Sequence, residues 1–253
     1  MTVALEASRL TVRFGHFTAV DNVDLSIASG SRHALIGPNG AGKTSLVHAL
    51  TGNVPIAGGT VRLAGETISN LGQAQRVHKG LVRTFQITQL FQSLTVLDNV
   101  CLAIFERERK TLNFWRNAGQ DKAVIEEAHG HLQFVDLDGL AKRTVRSLPY
   151  GQQRLVEIAV ALAARPRVLI LDEPAAGVPA AQSEAIFERI QSMPKSLTLL
   201  FVEHDMGLVF RFAERISVLV NGRLLAEGTP EAISNDPRVR QVYLGRRGAH
   251  ASA

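Results

Sequence analysis

Cysteine is almost missing from this sequence: the 253-residue chain has one, Cys101, so no disulfide can form within it and no cysteine pair can hold a metal. Such usage suits a reducing compartment. Long apolar runs are also missing. The uncharged stretch Ile158 to Ala164 falls well short of the roughly 18 residues that a membrane-crossing helix needs. Work at a membrane therefore calls for partners that hold the chain there. The opening MTVALEASRLTVRF alternates like a strand and carries early charges, unlike a secretory signal. Charge is not strongly one-sided. The net value of +5 comes with basic residues at Arg107, Arg109, Lys110, Arg238, Arg240, Arg246 and Arg247. No helix-turn-helix, zinc finger or aromatic-basic pattern accompanies them, so no nucleic acid is expected as a partner.

What the chain does have is 45% apolar residues, enough for a sizeable core. Periodicity divides it into three stretches. Up to Leu63 the pattern is of short strands, Leu5–Phe14, Val23–Ile27, His33–Ile36 and Thr60–Leu63, interrupted by one helix from about Lys43. From about Thr95 to Ala164 only helical patterns occur, beginning at Thr95, Gln120 and Gly151. From Val168 apolar strands (VLILD, LTLLFV, ISVLV) alternate with helices predicted over Ala180–Met193 and Met206–Ala213. That alternation predicts an α/β fold with a parallel sheet covered on both faces. Short helices beginning near Pro230 and Pro237 end the pattern.

The segment Gly37-Pro38-Asn39-Gly40-Ala41-Gly42-Lys43-Thr44, followed by Ser45, fits G-x-x-x-x-G-K-[ST] between an apolar strand and a helix. Glycines in such a loop let backbone N–H groups wrap phosphates, and the helix N-terminus adds a favourable dipole. Lys43 is then placed for the β- and γ-phosphates of ATP and Thr44 for Mg²⁺. Asp172 closes the apolar strand VLILD, within reach of the metal shell, and Glu173 follows as the candidate general base for an attacking water.

Taken together, the motifs resemble the ATP-binding subunit of ABC transporters over nearly the whole chain. The resemblance implies a P-loop core over residues 1–86 and 166–253, with an N-terminal antiparallel β subdomain and a helical subdomain at about 87–165, all within one domain. It implies that Gln86 in RTFQ reaches the metal and the water, that His204 in FVEHD contacts the γ-phosphate, and that Phe14 stacks on adenine. Leu148-Pro149-Tyr150-Gly151-Gln152 occupies the place of the family's LSGGQ segment, which each subunit offers to its partner's ATP. Two departures stand out. Pro149 and Tyr150 replace the usual Ser and first Gly, and Ala176-Gly177-Val178-Pro179 lacks the usual polar residue after the glutamate.

Within the family, RTFQ, LPYGQQR and DEPAAG look most like the branched-chain amino-acid uptake group. That implies a second ATPase subunit, with a heterodimer favoured, transmembrane permease subunits and an extracytoplasmic solute-binding protein. It also implies a peripheral position on the cytoplasmic face of the membrane. ITQLFQSLTVLDNV, after Gln86, is the expected permease contact, and Trp115 is expected in the helical core. Two other readings are a soluble ABC ATPase acting on ribosomes or DNA and a nucleotide-binding regulator without turnover. The single P-loop, the lack of sustained heptads and the presence of Glu173 and His204 weigh against both.

Overall fold

The computed structural model describes residues 2–84, 90–109 and 121–244. Strands β1 (Val3–Phe14) and β2 (Phe17–Ala28) form a long antiparallel hairpin. With β4 (Gly58–Leu63) and β5 (Glu66–Thr67) they make a four-stranded sheet in the order β2-β1-β4-β5. The second sheet has six strands in the order β10-β9-β3-β8-β7-β6. Here β3 (Arg32–Ile36) lies between β8 (Thr198–Val202) and β9 (Arg215–Val220), parallel to both. Beyond β8 come β7 (Val168–Asp172) and β6 (Leu81–Arg83), also parallel. The edge strand β10 (Arg223–Gly228) is antiparallel to β9, so this sheet is mixed.

Every residue of β3, β7 and β8 is buried, as expected for strands covered on both faces. Their side chains alternate between two apolar clusters. Ala34, Ile36, Leu169, Leu171, Leu199 and Phe201 face a core shared with the helices. Leu35, Val168, Ile170, Leu200 and Val202 face the four-stranded sheet and helix α1 (Lys43–Thr51), which contributes Leu46 and Leu50. A strand's period of two thus builds both cores from one sheet.

Described residues 90–163 contain helices and 3₁₀ turns but no strand. Helix α3 (Val96–Arg107) starts with a capping box: Thr95 accepts from the Asp98 amide and Asp98 accepts from the Thr95 amide. Asp121 caps α4 (Lys122–Phe134). Helix α5 (Tyr150–Ala163) packs with them, and its Val156 and Ile158 are buried in the same apolar cluster as Val100, Ile104 and Leu132. Later come α6 (Ala180–Gln191), α7 (Met206–Phe212), α8 (Pro230–Asn235) and α9 (Pro237–Leu244).

Four elements were not read from the sequence: β5, β6, β10 and α2 (Gln73–His78). Helix α2 has no apolar stripe, because its fully buried residue is Arg76. That guanidinium donates to the carbonyls of Ala49, Leu50, Ser69 and Leu71, so its contribution to packing is polar. The strands β5 and β6 have two and three residues, too few for a periodic signal. Trp115 lies outside the described residues.

His33 of β3 is fully buried. Its Nε2 lies 2.8 Å from Ser217 Oγ, which donates to Glu227, the partner of Arg215. Burial pushes the His33 pKa down to about 4; Glu227 opposes that shift and Arg215 adds to it. The folded pKa is therefore below the unfolded value, near 6.5. The stabilisation is present above pH 6.5 and is lost as pH falls toward 4. Between pH 7 and pH 5 the parent should lose about 2 kcal/mol more stability than His33→Gln. Urea unfolding of both at the two pH values checks this, and equal losses would remove His33 from the account.

Candidate functional site

The segment between β3 and α1 turns on three glycines with positive φ: Gly37 at 157°, Gly40 at 78° and Gly42 at 98°. At Gly37 a Cβ would come 2.1 Å from the Leu219 carbonyl oxygen, and at Gly42 it would come 2.4 Å from that of Ala19. No side chain fits at either place. Within the loop the Ala41 amide donates to Pro38 O at 3.1 Å. Lys43, the first residue of α1, is buried and folds back so that Nζ donates to Gly37 O at 2.7 Å and Pro38 O at 3.1 Å. Asn39, Gly40 and Thr44 are exposed, while Pro38 and Ser45 are half-buried. The loop therefore presents an open rim beside a helix N-terminus, which attracts anions.

Asp172 ends β7, two strands from β3, and is buried. It pairs with the equally buried Arg83 at the end of β6, and its amide donates to Thr84 Oγ1 at 3.4 Å. Glu173 follows with φ 47°, a left-handed conformation costly for a residue with a side chain, and its amide is held by Val202 O at 3.0 Å. Burial lowers the Lys43 pKa, while the charges of Glu173 and then Asp172 raise it. Lys43 opens the helix after β3, Asp172 ends β7 two strands away and Glu173 follows it, so all three lie at the C-terminal edge of the parallel strands, where open α/β sheets bind ligands.

His204 lies just beyond β8, with its side chain 64% exposed and Nδ1 3.8 Å from Glu203 Oε2. Sequence reading passed over Glu203. Its fully buried carboxylate accepts the amides of Ala175 and His204, each at 3.2 Å, so it holds the segments after Glu173 and before α7 together. Burial raises the Glu203 pKa, and those two amides oppose the shift. A glutamate between an apolar strand and the histidine was the available signal. Phe14 ends β1 half-exposed and pairs across the hairpin with Phe17, which is exposed on the same face and was not singled out. Gln86 lies outside the described residues.

At the start of α5, Leu148 is buried and Pro149 is the residue before the first turn. The Tyr150 ring lies beneath the Arg154 guanidinium, 5.1 Å away, and against Gly177, where a Cβ would come 3.2 Å from it. A Cβ on Gly151 would meet Gln182 Oε1 at 2.7 Å. Helix α5 thus packs at its N-terminal end against the segment that follows Glu173, and Gln152 sits in its first turn.

A glycine loop opening a helix, facing an acid pair two parallel strands away, defines a P-loop ATPase. The sequence matches the ABC transporter family over residues 20–176, and residues 223–249 match the branched-chain amino acid ATP-binding cassette transporter family. Among similar proteins are the high-affinity branched-chain amino acid transport ATP-binding proteins BraF of Pseudomonas aeruginosa and LivG of Escherichia coli K12. They are 40% and 39% identical, each match covering 95% of this chain and 97% of the relative. A crystal structure of the ADP conformation of an ABC transporter's ATP-binding cassette superposes with a TM-score of 0.86. It is 32% identical, over 97% of this chain and 100% of that one. A nucleotide-free cassette gives 0.85 at 31% identity, over 96% and 99%. The chain belongs to the ABC transporter family of ATP-binding ATPases, within which it groups with the branched-chain amino-acid proteins.

Removing Arg83 would leave Asp172 as a buried charge without its ion-pair partner. Arg83→Met should destabilise the protein by about 3–5 kcal/mol, and adding Asp172→Asn should return a good part of that. Denaturant midpoints of the two variants check the coupling.

Proposed function

We propose that this chain powers the import of branched-chain amino acids or related small solutes, by hydrolysing ATP beneath transmembrane permease subunits. The placement of Lys43, Asp172 and Glu173 at the C-terminal edge of the parallel strands carries the catalytic reading. The relatives that share its length support the transport reading. Among the described residues no helix is long and apolar enough to cross a membrane, which suits a peripheral subunit held on the cytoplasmic face by permeases. An extracytoplasmic binding protein would then supply the solute. The helices of about 87–165 form the subdomain facing those permeases, and residues 1–86 and 166–253 form the core.

Amides of the loop from Gly37 to Thr44 wrap the phosphates, and Lys43 neutralises the β- and γ-groups. Phe14 stacks on adenine. Thr44 and Asp172 offer a hydroxyl and a carboxylate, hard oxygen donors that fit Mg²⁺. When bound, that ion neutralises charge on the phosphate oxygens. Glu173 takes the proton of the attacking water, and its strained backbone fixes the carboxylate's approach. His204 contacts the γ-phosphate from the other side, and Gln86 is assigned to the metal and the water by resemblance. Glu173→Gln should keep MgATP binding but cut hydrolysis about a hundredfold or more, whereas Lys43→Ala should weaken binding itself. Nucleotide binding and phosphate release, measured side by side, separate these roles. Hydrolysis by Glu173→Gln at the parental rate would refute the base.

The segment Leu148–Gln152 is offered to the ATP of a second ATPase subunit, with a heterodimer favoured. Pro149 has neither a hydroxyl nor an N–H, and the Tyr150 ring is occupied by Gly177 and Arg154. The composite site completed by this segment should therefore be the slower of two. A lost hydrogen bond to a charged phosphate is worth roughly 1.5–3 kcal/mol, or about tenfold to hundredfold in rate. Glu173→Gln here should abolish most turnover, while the matching change in the partner leaves much of it. Equal single-turnover rates at the two sites would contradict the asymmetry.

A further inference from the structure

Two stretches of chain leave neighbouring strands side by side: the one after β7 carries Glu173, and the one after β8 carries His204. The strand ends are in register, Asp172 opposite Val202, and the Glu173 amide donates to Val202 O at 3.0 Å. There both strands stop, and one side chain takes over from the ladder. Glu203 has a side chain only 1% exposed. Its Oε1 accepts the Ala175 amide and its Oε2 accepts the His204 amide, each at 3.2 Å. A single carboxylate thus reaches from the second residue after Glu173 to His204 itself.

Both segments are also held on their far sides. After His204, Asp205 caps α7 and accepts the amides of Gly207 at 2.8 Å and Leu208 at 3.3 Å. After Ala175, the Ala176 amide donates to Glu173 O at 3.0 Å, and Gly177 lies against the Tyr150 ring. The His204 side chain, by contrast, is 64% exposed, so its backbone more than its packing sets where the ring points. A carboxylate is costly to bury unless its oxygens are bonded, and here each oxygen takes one N–H.

We propose that Glu203 is a positioning residue for hydrolysis, which holds Glu173 and His204 at one fixed separation. The proposal rests on the reading of Glu173 as the general base and His204 as the γ-phosphate contact. With Gln at this place, one of the two amides would face an NH₂ group where it now meets an oxygen, and that bridge opens. Glu173, in its left-handed backbone conformation, then loses a support two residues away, or His204 loses the one at its own amide. The phosphate loop lies between β3 and α1 and keeps its own bonds. The loss therefore falls on the chemical step and spares ATP binding.

The test uses the full chain with Glu203→Gln, which keeps the side-chain volume. Turnover at saturating ATP should fall about tenfold to hundredfold, the rate equivalent of one lost charge-assisted hydrogen bond. Affinity for a fluorescent ATP analogue should stay within about twofold of the parent. Glu203→Asp, one methylene too short to span both amides, should show the same split and carries the test if the carboxamide variant does not fold. A double-mutant cycle separates positioning from general support: with His204→Ala already present, Glu203→Gln should slow turnover by no more than about threefold. Parental turnover, an affinity loss as large as the turnover loss, or equal factors in both backgrounds would overturn the proposal. Glu173→Gln and His204→Ala alone probe the underlying reading. Parental rates in both would remove those roles, whereas slow rates in both beside a parental Glu203→Gln remove only the positioning role.

Discussion

The rest of the site depends on the conformation of the loop from Gly37 to Gly42, which those residues cannot hold by themselves. Glycine in the left-handed region costs no steric energy but gives up the most freedom on folding. Positions with that freedom must be fixed from outside. Lys43 fixes the loop from within the fold, through Gly37 O and Pro38 O, while Gly222 fixes it from the far side through Ala41 O. Burying an ammonium is unfavourable. Here the carbonyls and the nearby charges of Glu173 and Asp172 offset the cost. Lys43, which we propose to bind the phosphates, is thus also a structural clamp on its own loop.

Buried guanidinium groups repeat this logic. Arg76 takes the carbonyls of Ala49 and Leu50 at the C-terminal end of α1, the end where a cation is favoured by the helix dipole. The helix whose N-terminus opens the phosphate loop is therefore pinned at its other end. Arg32, at the start of β3, donates to Met193 O and Leu197 O and so fixes the turn leading into β8. Arg83 ties the end of β6 to Asp172. Each cation holds backbone or carboxylate oxygens where a purely apolar core would leave them unpaired.

This explains which parts could be read in advance. Strands such as VLILD and LTLLFV are apolar throughout, and the loop Gly37–Thr44 carries its own spacing, so both were legible. The helix at Gln73 was not, since its buried anchor is Arg76, a residue that periodicity counts as exposed. Glu203 was missed for the same reason: it is an acid fully buried for the sake of two amides. The Arg83–Asp172 pair joins residues 89 positions apart, a separation over which no local pattern extends. Tyr150 was read as a departure from a known motif. Its contact with Gly177, which joins two segments at one surface, depends on tertiary packing alone.

The order of strands in the larger sheet has a consequence for how the protein is made. β3 ends near residue 36, yet both of its neighbours, β8 and β9, begin only at Thr198 and Arg215. During synthesis the strand that leads into the phosphate loop therefore emerges long before anything can pair with it. Both of its edges stay without these neighbours while some 160 further residues are translated, at about 5–20 residues per second. The strand therefore waits roughly ten to thirty seconds for the two neighbours it pairs with. Gly222, which closes the loop, arrives later still. The loop from Gly37 to Gly42 thus reaches its final form only in a chain that is nearly finished.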